Sequence, residues 1–267
     1  MRRRRDDDVR VEGLDGNRAI MPFLMRGKNE SAVYFEQTID LERTLSWLDG
    51  RDGSFFHLCL FAIAKTLHEH PRLNRYIAGR RYYQRADVTL SFAMKPRLDT
   101  DAPLRVVKTR VAEDETFDAF IERVRARVER GRAGEESQSD KEAIVLTKLP
   151  LLLLEAGVRA VRALDAMGLA PAAFTRPDPM HASVFVANLG SVGLDAAWHH
   201  LFEYGNCPIF ATIGRIQKLP IVVGDEVLAR RAVRLRYTYD ERIEDGLYAG
   251  RALMKLQERI EDPAAWI

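Results

Sequence analysis

From Val227 to Tyr239 the residues alternate, with Val233, Leu235, Tyr237 and Tyr239 on one side and Arg234, Arg236 and Thr238 on the other. A period of two sustained over that length fits an extended strand buried on one face. The fold must therefore contain a sheet and something to cover it. Further strands are expected at Ala32 to Leu41, Arg80 to Gln84, Asp87 to Lys95, Leu104 to Arg110, Ser183 to Asn188, Ile209 to Gln217 and Ile221 to Val223. The longest lie late in the chain and read as antiparallel. Helices supply the cover. Ser54 to His70 carries Phe55, Leu58, Ala62 and Leu67 at helical spacing, can be capped by Ser54, and stops at Pro71. Glu113 to Arg132 and Gly246 to Ile260 are also helical, whereas Pro22 should hold any helix in Asn17 to Gly27 to its first turn. No internal repeat or linker divides the chain, so the expectation is one α+β domain, a mixed β-sheet with helices packed on it.

Charge and composition remove several classes of function. Lys plus Arg number 41 against 39 Asp plus Glu, a net charge of +2, which gives no global reason to expect nucleic acid. The arginines of the 113–132 helix are interleaved with Glu122 and Glu129 and read as a solvated face. Two distant cysteines, Cys59 and Cys207, form no disulfide framework, and no apolar run reaches the roughly 18 residues of a membrane span. A cytoplasmic location follows as the expectation. Residues 1–16, opening with four arginines and three aspartates, read as a charged flexible tail, and residues 17–267 as the folded domain. Within it, residues 134–180 form a leucine-rich helical insert, a hairpin broken at Pro150 and ended near Gly168. Its expected role is a core or subunit-contact helix, ahead of a lid on an acyl pocket or a helix lying on a membrane surface.

Two segments carry a resemblance. Asp240-Glu241-Arg242-Ile243-Glu244-Asp245-Gly246 resembles the D-H-R-x-x-D-G signature of the catalytic domain of 2-oxoacid dehydrogenase acyltransferases, the E2 components. It is similar, more loosely, to the signature of chloramphenicol acetyltransferases. Phe185-Val186-Ala187-Asn188-Leu189-Gly190 resembles the F-T-I-S-N-L-G strand of the same E2 domains, and the segments at 67–74, 87–93 and 261–263 follow in family order. The resemblance implies a chloramphenicol acetyltransferase-like fold and a homotrimer with its active site between subunits. Coenzyme A or acyl-CoA would enter on one side and an acyl carrier on the other. It also implies a histidine that takes the thiol proton and a hydroxyl that donates to the oxyanion.

Carried over by position, the histidine becomes Glu241 and the hydroxyl becomes Ala187. Asp240, Arg242, Asp245, Gly246, Asn188 and Gly190 remain as the structural signature, with Gly246 expected to admit a backbone conformation that other residues resist. A carboxylate accepts a thiol proton less readily than an imidazole by about 3 kcal/mol. A missing oxyanion donor costs about a further 2.7–4 kcal/mol. His199 and His200, with Glu203 to orient one of them, are the alternative base, although packing or subunit contact is the stronger reading beside Trp198 and Phe202. Zinc held by His199, His200 and Cys207 is weaker still, and no metal site is expected. Cys207 has nothing basic beside it to make it a nucleophile, His57, His68 and His70 read as structural, and His181 has no assigned role.

The expectation is thus a degenerate trimeric scaffold, or a binding or regulatory protein. The alternative is a non-standard acyltransferase moving an acyl group between a CoA or carrier thioester and an acceptor. No covalent cofactor is expected, because no lipoyl-bearing hairpin precedes the core. The resemblance also implies contact with an acyl carrier or with dehydrogenase-complex subunits. Trp266 and Ile267, an apolar C-terminal tip, are expected to dock trimer on trimer into a larger cage.

Overall fold

The structure is a computed structural model that describes residues 4–5, 7–95, 99–133, 147–167 and 169–267. The long alternating segment forms β11 (Glu226–Asp240), the spine of a seven-stranded mixed sheet. Its first half pairs antiparallel with β10 (Gln217–Val223); its second half is flanked by β3 (Ala32–Asp40) and β9 (Ile209–Ile213), both antiparallel to it. Beyond β9 the order continues through β8 (Val184–Asn188), β6 (Val88–Met94) and β7 (Arg105–Val111). The longest late strands, β10 and β11, pair antiparallel as expected, whereas the shorter β9–β8 and β8–β6 pairs are parallel and make the sheet mixed. Ile209 to Gln217 is not one strand, since the chain breaks at Gly214 between β9 and β10.

Three helices cover one sheet face: α3 (Phe55–Glu69), α4 (Phe117–Arg132) and α7 (Gly246–Glu261). Leu58, Leu60, Leu90, Phe120, Leu235 and Ile260 are fully buried in this core. Ser54 caps α3 as its sequence predicted, whereas α4 begins later than Glu113 because the Thr116 side chain accepts from the Ala119 amide. The opposite sheet face packs a smaller cluster of Phe185, Phe210, Leu201 and Cys207. A second sheet joins β1 (Arg4–Arg5), β2 (Asp8–Arg10), β5 (Arg81–Gln84) and β4 (Arg75–Ala78).

Several expectations are corrected. The charged start is not a free tail through residue 16: β2 pairs with β5, and the Asp8 carboxylate accepts from the Tyr76 hydroxyl (2.8 Å) and the Ala86 amide (2.9 Å). Helix α1 (Gly16–Leu24) runs through Pro22. The Arg18 carbonyl, which loses its helical partner to the proline, instead accepts from the Tyr82 hydroxyl at 2.6 Å. A short α2 (Glu42–Leu48) was not expected. In the insert, α5 (Leu151–Met167) is followed by the short α6 (Ala172–Thr175), and the expected first arm of the hairpin lies largely outside the described residues. No residue of α5 is buried, so it is not a core helix of this chain. Trp266 is not a free docking tip: its ring stacks on Phe61 and its indole N–H donates to the Arg259 carbonyl at 2.8 Å, leaving only Ile267 exposed. Among the described residues no helix is long and apolar enough to cross a membrane.

Candidate functional site

At the end of β11 the chain enters a turn built from buried charge. The Asp240 carboxylate accepts from the Ser31 hydroxyl (2.8 Å), the Arg242 amide (3.1 Å), and Arg242 Nε and Nη2 (2.8 and 2.7 Å). Arg242 also donates to the Met25 carbonyl, tying the turn to α1. Two residues on, buried Glu244 takes Arg18 (3.3 Å) and Arg75 (3.4 Å), while Arg18 donates to the carbonyls of Glu241 and Arg242. A buried pair with every lone pair engaged fixes local geometry, because removing one partner would leave an unpaired charge. Asp245 then caps α7 by accepting from the Tyr248 amide at 3.0 Å, a bond that holds its carboxyl below the ordinary range. Gly246 differs from expectation. It is not in the left-handed region, and a Cβ there would meet nothing within 4 Å, so the turn itself does not require glycine.

Glu241 projects from this frame without being part of it. Its backbone N–H donates to the Ser31 carbonyl (3.0 Å), but its half-buried carboxylate makes no hydrogen bond or ion pair among the described residues. Burial, followed by the neighbouring Glu241 charge, pushes the Tyr239 hydroxyl up to about 12.

Ala187 lies on β8, opposite Thr212 of β9. The Thr212 hydroxyl is no substitute donor, since it is buried and already donates to the Ala197 carbonyl at 2.7 Å. Asn188 accepts from the Ser191 amide and shapes the turn after β8. Gly190 is required there, because a Cβ would come within 2.4 Å of the Gly214 carbonyl oxygen. Thr212 in turn pairs with Arg236, five residues before Glu241. Two strand spacings of about 4.8 Å and five residues at about 3.3 Å place the two positions roughly 19 Å apart within one chain.

The histidine pair is held by stacking and by backbone carbonyls, the His200 Nδ1 lying 3.1 Å from the Leu201 carbonyl. His199 stacks on Phe210 (centroids 3.7 Å apart) and on His200 (4.7 Å), and its Nδ1 lies 2.6 Å from the His200 carbonyl, a distance that places the N–H on that nitrogen. Burial lowers its affinity for a proton. Glu203 orients neither imidazole. It accepts from the Lys28 and Asn29 amides and the Asn29 side chain instead. Cys207 is fully enclosed, its thiol pushed up by burial and donating to the Ile209 carbonyl, so it is no ready nucleophile.

Sequence reasoning assigned no role to three groups, buried Lys28 and His181 and half-buried Lys108. Lys28 donates to the carbonyls of Gly205 (2.9 Å) and Tyr204 (3.4 Å), and burial brings it down to about 8. Lys108, also lowered to about 8 by burial, donates to the carbonyls of Arg176, Asp178 and His181 within 3.0 Å. His181 bridges Asp178 of the body (3.1 Å) and Asp165 of α5 (3.4 Å). Nothing local marks either lysine, whose environments are assembled from loops distant in sequence.

Residues 169–267, which include both Ala187 and Glu241, match the family model of the 2-oxoacid dehydrogenases acyltransferase catalytic domain. A stretch of 91 residues is 36% identical to the dihydrolipoyllysine-residue acetyltransferase component of the pyruvate dehydrogenase complex of Mycoplasma capricolum. It covers 33% of this chain and 20% of that protein, so the chain spans about a fifth of the relative it matches. Over nearly its whole length the chain superposes on a probable dihydrolipoamide acetyltransferase from Listeria monocytogenes, with a TM-score of 0.63, 18% identity and 94% of each chain covered. The fold is that of the 2-oxoacid dehydrogenase acyltransferases. A chloramphenicol acetyltransferase shares this E2-like fold at a TM-score of 0.51 and 12% identity, covering 94% of this chain and 95% of its own.

Proposed function

We propose that this E2-like chain no longer performs the standard thioester chemistry and instead serves as a self-assembling scaffold, binding or regulatory protein. The observation that carries this reading is the double replacement at the positions the family resemblance picks out. Ala187 has no hydroxyl to give an oxyanion, and its ladder partner Thr212 is committed elsewhere. Glu241 offers a carboxylate where the mechanism calls for an imidazole. Self-assembly draws on the roughly 19 Å between the two positions, since a site using both would take one from each of two copies.

A second reading rests on Glu241 itself. An unpaired, half-buried carboxylate at the histidine position is free to act as a base toward an acyl-CoA or carrier thioester. Turnover of a panel of acyl-CoAs separates the two. The first reading predicts hydrolysis and transfer at the uncatalysed rate for the parent and for Glu241→Gln alike. Turnover by the parent that Glu241→Gln abolishes would overturn it in favour of the second.

A further inference from the structure

A cavity of about 300 Å³ lies on the other side of the turn's scaffold, between α1, the β4–β5 hairpin tip and the C-terminal half of α5. It is lined by neither Glu241 nor Ala187. Its charges are unequally committed. Two carboxylates border it, Asp165 and Glu203, and both are engaged inside the chain, the first by His181 and the second by the Lys28 and Asn29 amides. The cations outnumber them. Arg242 is neutralised by Asp240, whereas buried Lys28 donates to neutral carbonyls and is balanced only at longer range by the Glu203 and Asp240 charges. Arg80 and Arg162 carry no ion pair among the described residues.

The arginines are also placed with some care. Gly79 and Arg80 form the two-residue tip of the β4–β5 hairpin, and both have positive φ, 54° and 62°. A type of turn that needs two left-handed residues ordinarily takes Asn or Gly. Arg80 is the sole non-glycine residue with positive φ among the described residues, and holding it there costs about 1 kcal/mol or more. The tip is fitted to the insert: a Cβ on Gly79 would lie 1.7 Å from the Ala166 carbonyl oxygen of α5. That contact sets Arg80 on the lining of the same cavity as Arg162, which α5 contributes from one turn earlier. The Arg80 guanidinium lies over the Phe23 ring of α1 at 5.3 Å. A cation–π contact of this kind uses the face of the ring and none of the guanidinium N–H donors, which stay available to a tetrahedral oxyanion. Pro22, Ile77 and Val161 supply apolar wall around it.

We propose that this cavity binds the phosphate group of a phosphorylated ligand, held by Arg80 and Arg162 at the rim and favoured by the buried Lys28 charge beneath. The site depends on helix α5 and is independent of whether thioester chemistry survives.

Calorimetric titration of the full chain with inorganic phosphate in a chloride buffer tests this. Saturable binding is expected, weakened at least about tenfold in the Arg80→Gly/Arg162→Gln double variant and unchanged in Arg251→Gln on the exposed side of α7. Arg80→Gly relieves the left-handed strain, so the double variant should stay folded, and circular dichroism checks that it does. Coenzyme A as a competitor separates the sources: displacement of phosphate assigns the group to a CoA phosphate, and saturable binding without displacement assigns it to another phosphorylated molecule. Absence of saturable binding at millimolar phosphate overturns the proposal. So does an affinity that the double variant leaves unchanged, including the case in which stability falls because the arginines merely offset the carbonyl end of α5.

Discussion

The turn from Asp240 to Asp245 and the helix α5 are held in opposite ways. The turn buries Asp240, Arg242 and Glu244 and ties them to Ser31, Met25, Arg18 and Arg75, residues far away in sequence. Helix α5 buries none of its residues, exposes Leu151, Leu152 and Leu153, and touches the body through its last turns, at Gly79 and His181. In the turn, the frame and the chemistry are separable. Glu241 contributes backbone groups to the network and no side-chain bond, so the side chain at that position can change without disturbing the fold. In α5, an exposed apolar stripe contributes little to the stability of one chain and is available for contacts outside it.

That contrast can be broken at either end. The largest effect is expected from Asp240→Ala, which strands Arg242 as a buried, unpaired charge; urea denaturation should show a loss of about 3–5 kcal/mol. A loss under about 1 kcal/mol would mean that the turn is less tightly framed than its hydrogen bonds imply. Next comes pH. Lys28, packed beside the same frame, has its proton affinity lowered by burial from an ordinary 10.5 to about 8. Between those values the unfolded chain holds more protons than the folded one, so stability should rise with pH, and Lys108 adds in the same direction. Above about pH 10 the trend should reverse, because Tyr82 and Tyr239, pushed up to about 12 chiefly by burial, keep protons that the unfolded chain releases. Denaturation midpoints from pH 7 to 10 check this, and a flat profile would count against the lowered proton affinity of the two lysines. The smallest effect is expected from Leu152→Ser with Leu153→Ser on α5, within about 0.5 kcal/mol for each substitution. A larger loss would show that α5 is packed against something in solution.

How much of this was legible in the sequence follows from how local each cause is. The alternation of β11, the Ser54 cap of α3 and the start of α7 at Asp245-Gly246 depend on neighbours in the chain, and the structure has them where the pattern puts them. Helix α1 was expected to stop at Pro22 because the rescuing hydroxyl, Tyr82, is 64 residues from its acceptor Arg18. Trp266 reads as an exposed tip until Phe61 and Arg259 are brought beneath it. The signature positions Ala187 and Glu241 are visible as motifs, but the commitments of nearby groups, such as Thr212 to the Ala197 carbonyl and His199 to the Phe210 ring, are long-range contacts that no motif displays. Lys28, Lys108 and His181 carry no local pattern at all, since their partners are loop carbonyls and carboxylates gathered by the fold.

The proposed loss of standard thioester chemistry rests on Ala187 and Glu241 standing at the two signature positions within an E2-like fold. The direct measurement is thioester turnover with acetyl-CoA and dihydrolipoamide by the parent and by an Ala187→Ser/Glu241→His double variant of equal stability. The account predicts no turnover above background for the parent and a gain of at least about 10² in the double variant, the order that an oxyanion donor alone supplies. Turnover already present in the parent, and unimproved by restoring both groups, would contradict it.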